Sequence, residues 1–297
     1  MQKGGPFYYQ MTLPAFTKRH ATPADRVLHL RNKGLIVPRP KVAARKIELI
    51  GYERLRIYFL SRRDSTAPGK PFTPGTSYHD VLRIYECDTK LRAICFAAVG
   101  QFEIHLRNRL SEELSTRFGS HPYFDTSAFK SKEAHLDAMQ KLSSVYNASK
   151  DKRAKHYKES YSNPPLPAIW TLKEFLTFGT TSKLIKALNG PVVTAIAKDF
   201  GLPSDQMLEN WVEALVDLRN ICAHHDRLFN RTFQKQPEIF RTRGVPTSAG
   251  GQNNKLRALL QCLDYMMTAR GASVGVEARV SRLLRQYPEI FLAETGF

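Results

Sequence analysis

Residues 218–231 read LRNICAHHDRLFNR. The segment combines two adjacent histidines, three arginines and two asparagines with a few apolar residues. An unperturbed histidine, with a pKa near ~6.5, exchanges a proton at neutral pH and serves as general acid or base. An arginine stabilises charge building on phosphoryl oxygens, and an asparagine positions a phosphate or sugar. Together they suit cleavage of RNA by its own 2′-hydroxyl, which leaves a 2′,3′-cyclic phosphate and a 5′-hydroxyl and needs no cofactor. On a helical wheel at about 100° per residue, Leu208, Trp211, Leu215, Leu218 and Cys222 fall on one side. Asn220, His224, Arg227 and Arg231 fall on the other, with Arg219 on the flank. His225 and Phe229 point back toward the core side. Ala223 lies beside the polar stripe, where its small side chain admits another chain. The same spacing also describes a solvated basic helix face, and spacing alone leaves both readings open. Neighbouring histidines diverge on a helix, and no carboxylate stands at ligand spacing, so no metal is expected. Asp226 reads as a charge partner or an orienter of a histidine.

Charge narrows the partner. Forty-five Lys and Arg against 27 Asp and Glu give +18 over 297 residues. Such an excess favours polyanions, nucleic acid first, through phosphate contacts and counterion release. No run of 18 apolar residues occurs, so no membrane partner is expected. No signal-peptide core stands near the start. Cys87, Cys95, Cys222 and Cys262 form no C-x-x-C pair, which excludes a cysteine zinc site and points to reduced thiols in a cytoplasmic protein. The chain has neither a P-loop nor a Gly-rich dinucleotide turn.

The elements that must position these residues are helical. Residues 24–37 predict a short helix stopped at Gly34, and residues 40–51 a second ending at Gly51. YERLRIYFLSRR at 52–63 fits a strand or a helix. Residues 64–76 form a Pro/Gly-rich loop. Apolar residues at helical spacing predict one long helix over 78–118, ended by Gly119. Residues 127–162 are polar and Lys-rich and predict a helical arm outside the core. After NPPLP at 163–167 come a helix ending near Gly179, two short helices, a long helix over 205–230, a loop at 241–254 and two closing helices. The fold class expected is mostly α.

RNICAHHDRLFNR resembles the signature of the Abi-like (AbiD/AbiF) abortive-infection proteins of bacteria, within the HEPN superfamily. KGLIV (33–37), LIGYERLRIYF (49–59), the block at 72–110, HYKESY (156–161) and LPAIWTLKEFLTFGTTSKL (166–184) resemble further family blocks in the expected order. The resemblance implies a HEPN-type helical bundle acting as a metal-independent endoribonuclease in phage defence or a toxin–antitoxin system, restrained by an RNA or protein antitoxin. It implies Arg219 and His224 as the catalytic pair of an R-x4-H motif, with Asn220 as the auxiliary polar residue. Some HEPN families add an E-x3-K/R element, and Glu103 and Arg107 match its spacing; an ordinary i,i+4 ion pair has the same spacing. His225, Arg227 and Arg231 are further auxiliary candidates. HEPN nucleases join two motifs in a composite site. One motif per chain therefore predicts a homodimer.

The expected organisation is a flexible arm over 1–20, an N-terminal helical region over 21–77 and a HEPN-like helical domain over 78–297. A basic helical insertion occupies about 127–165. Lys152, Arg153, Lys155, His156 and Tyr157 in that insertion suit an RNA backbone and stacked bases. RLRIYFLSRR at 54–63 has a similar composition. The alternative function is a non-catalytic RNA-binding or sensing module of the same superfamily.

Overall fold

The computed structural model describes residues 15, 17, 19–238 and 252–297. The arm expected over 1–20 and the loop at 241–254 lie mostly outside the described residues. Two compact units divide the chain, Met1–Leu82 and Arg83–Phe297. Among the described residues the only β pairing is three isolated bridges, and everything else regular is helix.

The first unit begins with α1 (Pro23–Asn32). Thr22 accepts from the Asp25 N–H while the Asp25 carboxylate accepts from the Thr22 N–H, closing a capping box ahead of Pro23. Gly34 turns the chain at φ +91°. Next come α2 (Pro40–Ile50) and α3 (Tyr52–Leu60), hinged at Gly51, where φ is +93°. The ambiguous segment at 52–63 is thus helical over most of its length. Its buried residues, Leu55, Tyr58 and Phe59, follow i, i+3, i+4 spacing, and Phe59 meets Phe72 edge-on.

A 41-residue helix, α4 (Tyr78–Phe118), contains the unit boundary and then forms the spine of the second unit. It stops where read, with the Gly119 N–H returning to the Ser115 carbonyl and φ at +76°. Leu91, Cys95, Ala98, Phe102, Leu106, Leu110 and Leu114 are buried along it. After α4 come α5 (Lys132–Ala148), α6 (Lys152–Ser160), α7 (Ile169–Leu172), α8 (Phe178–Ala187), α9 (Gly190–Asp199), α10 (Asp205–Ala223), α11 (Leu256–Ala269), α12 (Val276–Leu284) and α13 (Leu292–Thr295). The Phe102 ring stands edge-on to Phe178 of α8 and to Phe200 just beyond α9. α10 packs on α8, α9 and α11. No helix among the described residues is long and apolar enough to cross a membrane.

Two expected elements differ. The Lys-rich segment is more than an outlying arm: α5 packs on α8 and buries Ala138, Leu142 and Tyr146. Its apolar residues sit four apart, and the surrounding lysines obscure that stripe. The break expected near Gly179 falls earlier, because the Thr177 side chain caps the Thr180 N–H and starts α8. Gly179 lies inside the helix.

Candidate functional site

Ser204 caps the start of α10 by accepting from the Met207 N–H. Leu208, Trp211, Leu215, Leu218 and Cys222 are buried, as the wheel requires. The far end differs from the reading of a helix through 230. The His225 N–H bonds the Cys222 carbonyl at 3.2 Å, and the Asp226 N–H bonds the Ile221 carbonyl at 3.0 Å. This pair of bonds is a Schellman stop. The left-handed position it requires, usually glycine, is held by His225 at φ +58°. The helix therefore ends at Ala223, and His224 is its C-cap.

The polar stripe is accordingly shorter than the wheel drew it. Asn220 and His224 keep their one-turn spacing, with the His224 N–H on the Asn220 carbonyl at 2.9 Å. Arg227 and Arg231 are off the helix. Arg227 donates to the carbonyls of Phe229 (2.6 Å) and Asn230 (2.8 Å), and Arg231 to that of Arg227 (3.3 Å). These guanidiniums fold the loop onto itself. His225 is exposed rather than turned to the core, whereas Phe229 is buried through the loop's own path. The His224 ring is exposed and makes no hydrogen bond among the described residues. Ala223 is exposed beside it.

Arg219 is held from α4. The Glu103 carboxylate, 9% exposed, receives Arg107 on Oε1 and stands 3.6 Å from Arg219 Nε on Oε2. Arg219 Nη1 also donates to Asn220 Oδ1 at 3.0 Å. One carboxylate thus serves two guanidiniums, leaving the cluster a net positive charge. The i,i+4 pair of α4 and the motif of α10 belong to one network. The Nε of Arg107 is buried without a partner among the described residues.

The loop after His225 is fixed by a pair that sequence reasoning missed. Asp88 Oδ1 accepts from the N–H groups of Leu228 (3.0 Å) and Phe229 (2.8 Å), and its other oxygen pairs with Arg92. Both charged residues are buried, Asp88 at 2% and Arg92 at 5% exposure. A buried pair of this kind persists when its remaining hydrogen-bonding capacity is met, as here by loop amides and by Thr89. A signal was present: Asp88 lies three residues before Leu91 and seven before Cys95, on the apolar stripe of α4, where a charge needs partners. The neighbouring Cys222 and burial push the Cys95 thiol well above the usual thiol range, so Cys95 serves the packing of α4 rather than acting as a nucleophile.

The basic candidates of α6 make mostly local contacts. Arg153 pairs with Asp151 and Glu174, and Lys155 with Glu159. His156 Nδ1 shares a hydrogen bond with Ser160. Tyr157 donates to the Pro164 carbonyl, and its ring stands against Tyr146 and Tyr161. Lys152 is exposed. Among the described residues no group of three or more His, Cys, Asp or Glu is arranged to hold a metal.

The chain has no significant match among curated proteins or among solved structures. The profile of the family described as "Abi-like protein" does match it, over residues 45–230. That span covers well over half of the sequence and contains Asp88, Arg92, Glu103, Arg107, Arg219, Asn220 and His224. With the all-helical build and the network joining α4 to α10, it identifies the chain as a member of the Abi-like protein family.

Proposed function

We propose that this protein is a HEPN-type endoribonuclease of a phage-defence or toxin–antitoxin system, working in the bacterial cytoplasm without a metal. The single observation that carries the reading is the Glu103 carboxylate shared between Arg107 and Arg219. It joins an E-x3-R element to an R-x4-H motif, which two unrelated surface features would not require. In the mechanism, His224 moves the proton to or from the reacting 2′-hydroxyl or the leaving oxygen. Arg219 stabilises the negative charge on the phosphoryl oxygens, and Asn220 positions the RNA. Glu103 and Arg107 fix Arg219. His225, Arg227 and Arg231 shape the turn and loop beside the site. The exposed lysines of α6, Lys152 foremost, add RNA-backbone attraction.

The site is completed in a homodimer. The His224 ring has no orienting partner among the described residues, and exposed Ala223 leaves room for a second copy. Two stripes brought together supply one base and one acid around a single phosphodiester. An RNA or protein antitoxin restrains the enzyme.

The test is incubation of RNA with wild-type and His224→Ala protein in EDTA. Cleavage to a 2′,3′-cyclic phosphate is expected from the wild type, with a loss of about 10²–10⁴-fold in the variant. Undiminished cleavage by His224→Ala, or dependence on added metal, defeats the mechanism. The +18 charge also favours a second reading, a non-catalytic RNA-binding module. Its mark is unchanged RNA affinity, with no cleavage by wild type, when Arg219 and His224 are both replaced by alanine.

A further inference from the structure

A cavity of roughly 890 Å³ opens within the first unit, between α1 and α3. Among the described residues its lining includes Arg19, Arg26, Arg56 and Arg63, with His20 and His29 beside them and Glu53 as the one acid. Glu53 is taken up by Arg56 at 3.1 Å. Four guanidiniums against one carboxylate leave +3 before either histidine is counted. Such crowding is unfavourable in a concave, partly desolvated place unless an anion completes it.

The nearby acids are committed elsewhere. Asp25 caps α1 through Thr22, and Asp64 holds Thr66 and Ala67. Residues 1–24 contain no Asp or Glu. Two further observations point to a missing acceptor. The Nε of Arg63 is buried with no hydrogen-bond partner among the described residues, an arrangement that proteins rarely leave unanswered. Burial and the charges of Arg63, Lys33 and Arg26 hold the His29 imidazole below its ordinary range, so added positive charge is already resisted here.

The guanidiniums are also braced. Arg26 lies over the Tyr52 ring at 4.4 Å and Arg63 over the Phe72 ring at 4.9 Å. A stacked guanidinium keeps its edge N–H groups available in a fixed fork, the geometry that recognises phosphate oxygens. The volume is in the ordinary range for a small-ligand pocket.

We propose that this cavity is a phosphate-recognition site, distinct in its residues from the R-x4-H motif. It takes a phosphate group of a nucleotide ligand, supplied by an RNA strand or by a free nucleoside triphosphate. Arg26 and Arg63 grip the phosphate oxygens, and Arg19 and Arg56 supply the surrounding positive field.

The experiment uses the full chain with His224→Ala, so that binding is read without cleavage. The probes are a labelled short single-stranded RNA, followed by anisotropy, and GTP, followed by calorimetry. Each is titrated into the parent, into Arg26→Ala/Arg63→Ala, into Arg63→Lys, and into Arg45→Ala as a surface arginine outside the cavity. At least about tenfold weaker binding is expected in the double variant, with a shallower salt dependence for RNA. Arg63→Lys weakens binding severalfold because an ammonium cannot fork, and Arg45→Ala matches the parent. Loss confined to RNA identifies a strand phosphate as the ligand, and loss of GTP binding identifies the free nucleotide. If the double variant melts early, Arg63→Lys carries the comparison. Parent-like affinity for both probes in the variants, or no binding of either by the parent, overturns the proposal. Neither result bears on whether His224 cleaves RNA.

Discussion

Glu103 of α4 and Arg219 of α10 stand 3.6 Å apart, far separated in sequence, and the same carboxylate also holds Arg107. The orientation of Arg219 is therefore set by a different helix from the one that carries it. Replacing Glu103 with glutamine should leave two guanidiniums facing an amide and release Arg219. A fall in kcat on the order of 10²-fold is expected, with KM little changed, because orientation rather than RNA affinity is lost. Single-turnover cleavage of a synthetic RNA checks this, alongside a melting curve to verify the fold.

Arg219 itself should tolerate no cation substitute. Arg219→Ala and Arg219→Lys are both expected to lose about 10²–10³-fold in cleavage. Lysine keeps the charge but loses the fork that reaches Glu103, Asn220 and a phosphate together. Wild-type rates in the lysine variant would show that only a point charge is needed.

The buried Asp88 latch predicts a stability effect separable from chemistry. Asp88→Ala removes the acceptor for two loop amides and strands Arg92 in the core. A loss of about 3–5 kcal/mol in urea unfolding is expected. Asp88→Asn should lose less, since an amide oxygen still accepts from the Leu228 and Phe229 N–H groups.

His225 occupies a backbone conformation that favours glycine. His225→Gly relieves it and should raise stability by about 1 kcal/mol. Cleavage should remain within a few-fold of wild type if His224 does the proton transfer. A large loss would move that role, or part of it, to His225.

Glu209 gives the chain a distinct pH response. Burial, its largest influence, raises the carboxyl above its ordinary value of 4.5, outweighing the nearby lysines Lys130 and Lys186. The folded state thus binds this proton more tightly than the unfolded state does. The cost of ionising it is absent below about pH 4.5 and fully present above the folded pKa. Glu209→Gln should therefore raise the melting temperature at pH 7 and have little effect near pH 4.

Much of the frame was legible. The long helix ends where Gly119 stops it, and Gly34 and Gly51 mark turns with φ near +90°, because glycine at such points has a direct backbone meaning. The same logic failed at α10, where a histidine fills the place glycine would have marked. Without that punctuation the apolar pattern ran on through Leu228 and Phe229. Both are buried, but from a loop tied to Asp88. Asp88 shows the same limit from the other side: a charge on an apolar stripe says that partners exist, not that they are amides 140 residues away. Glu103 and Arg107 are candidates through the element that the family resemblance implies, whereas their meeting with Arg219 requires the tertiary fold.

α4 carries both Asp88 and Glu103, fifteen residues or roughly 22 Å apart along one rod. One fixes the loop after His224 and the other fixes Arg219. The six letters of R-x4-H are thus not a portable device. A graft of α10 into another bundle, or a pattern search that reads only those letters, would copy the spelling without its grammar. What must travel together is a pair of helices more than a hundred residues apart in the chain.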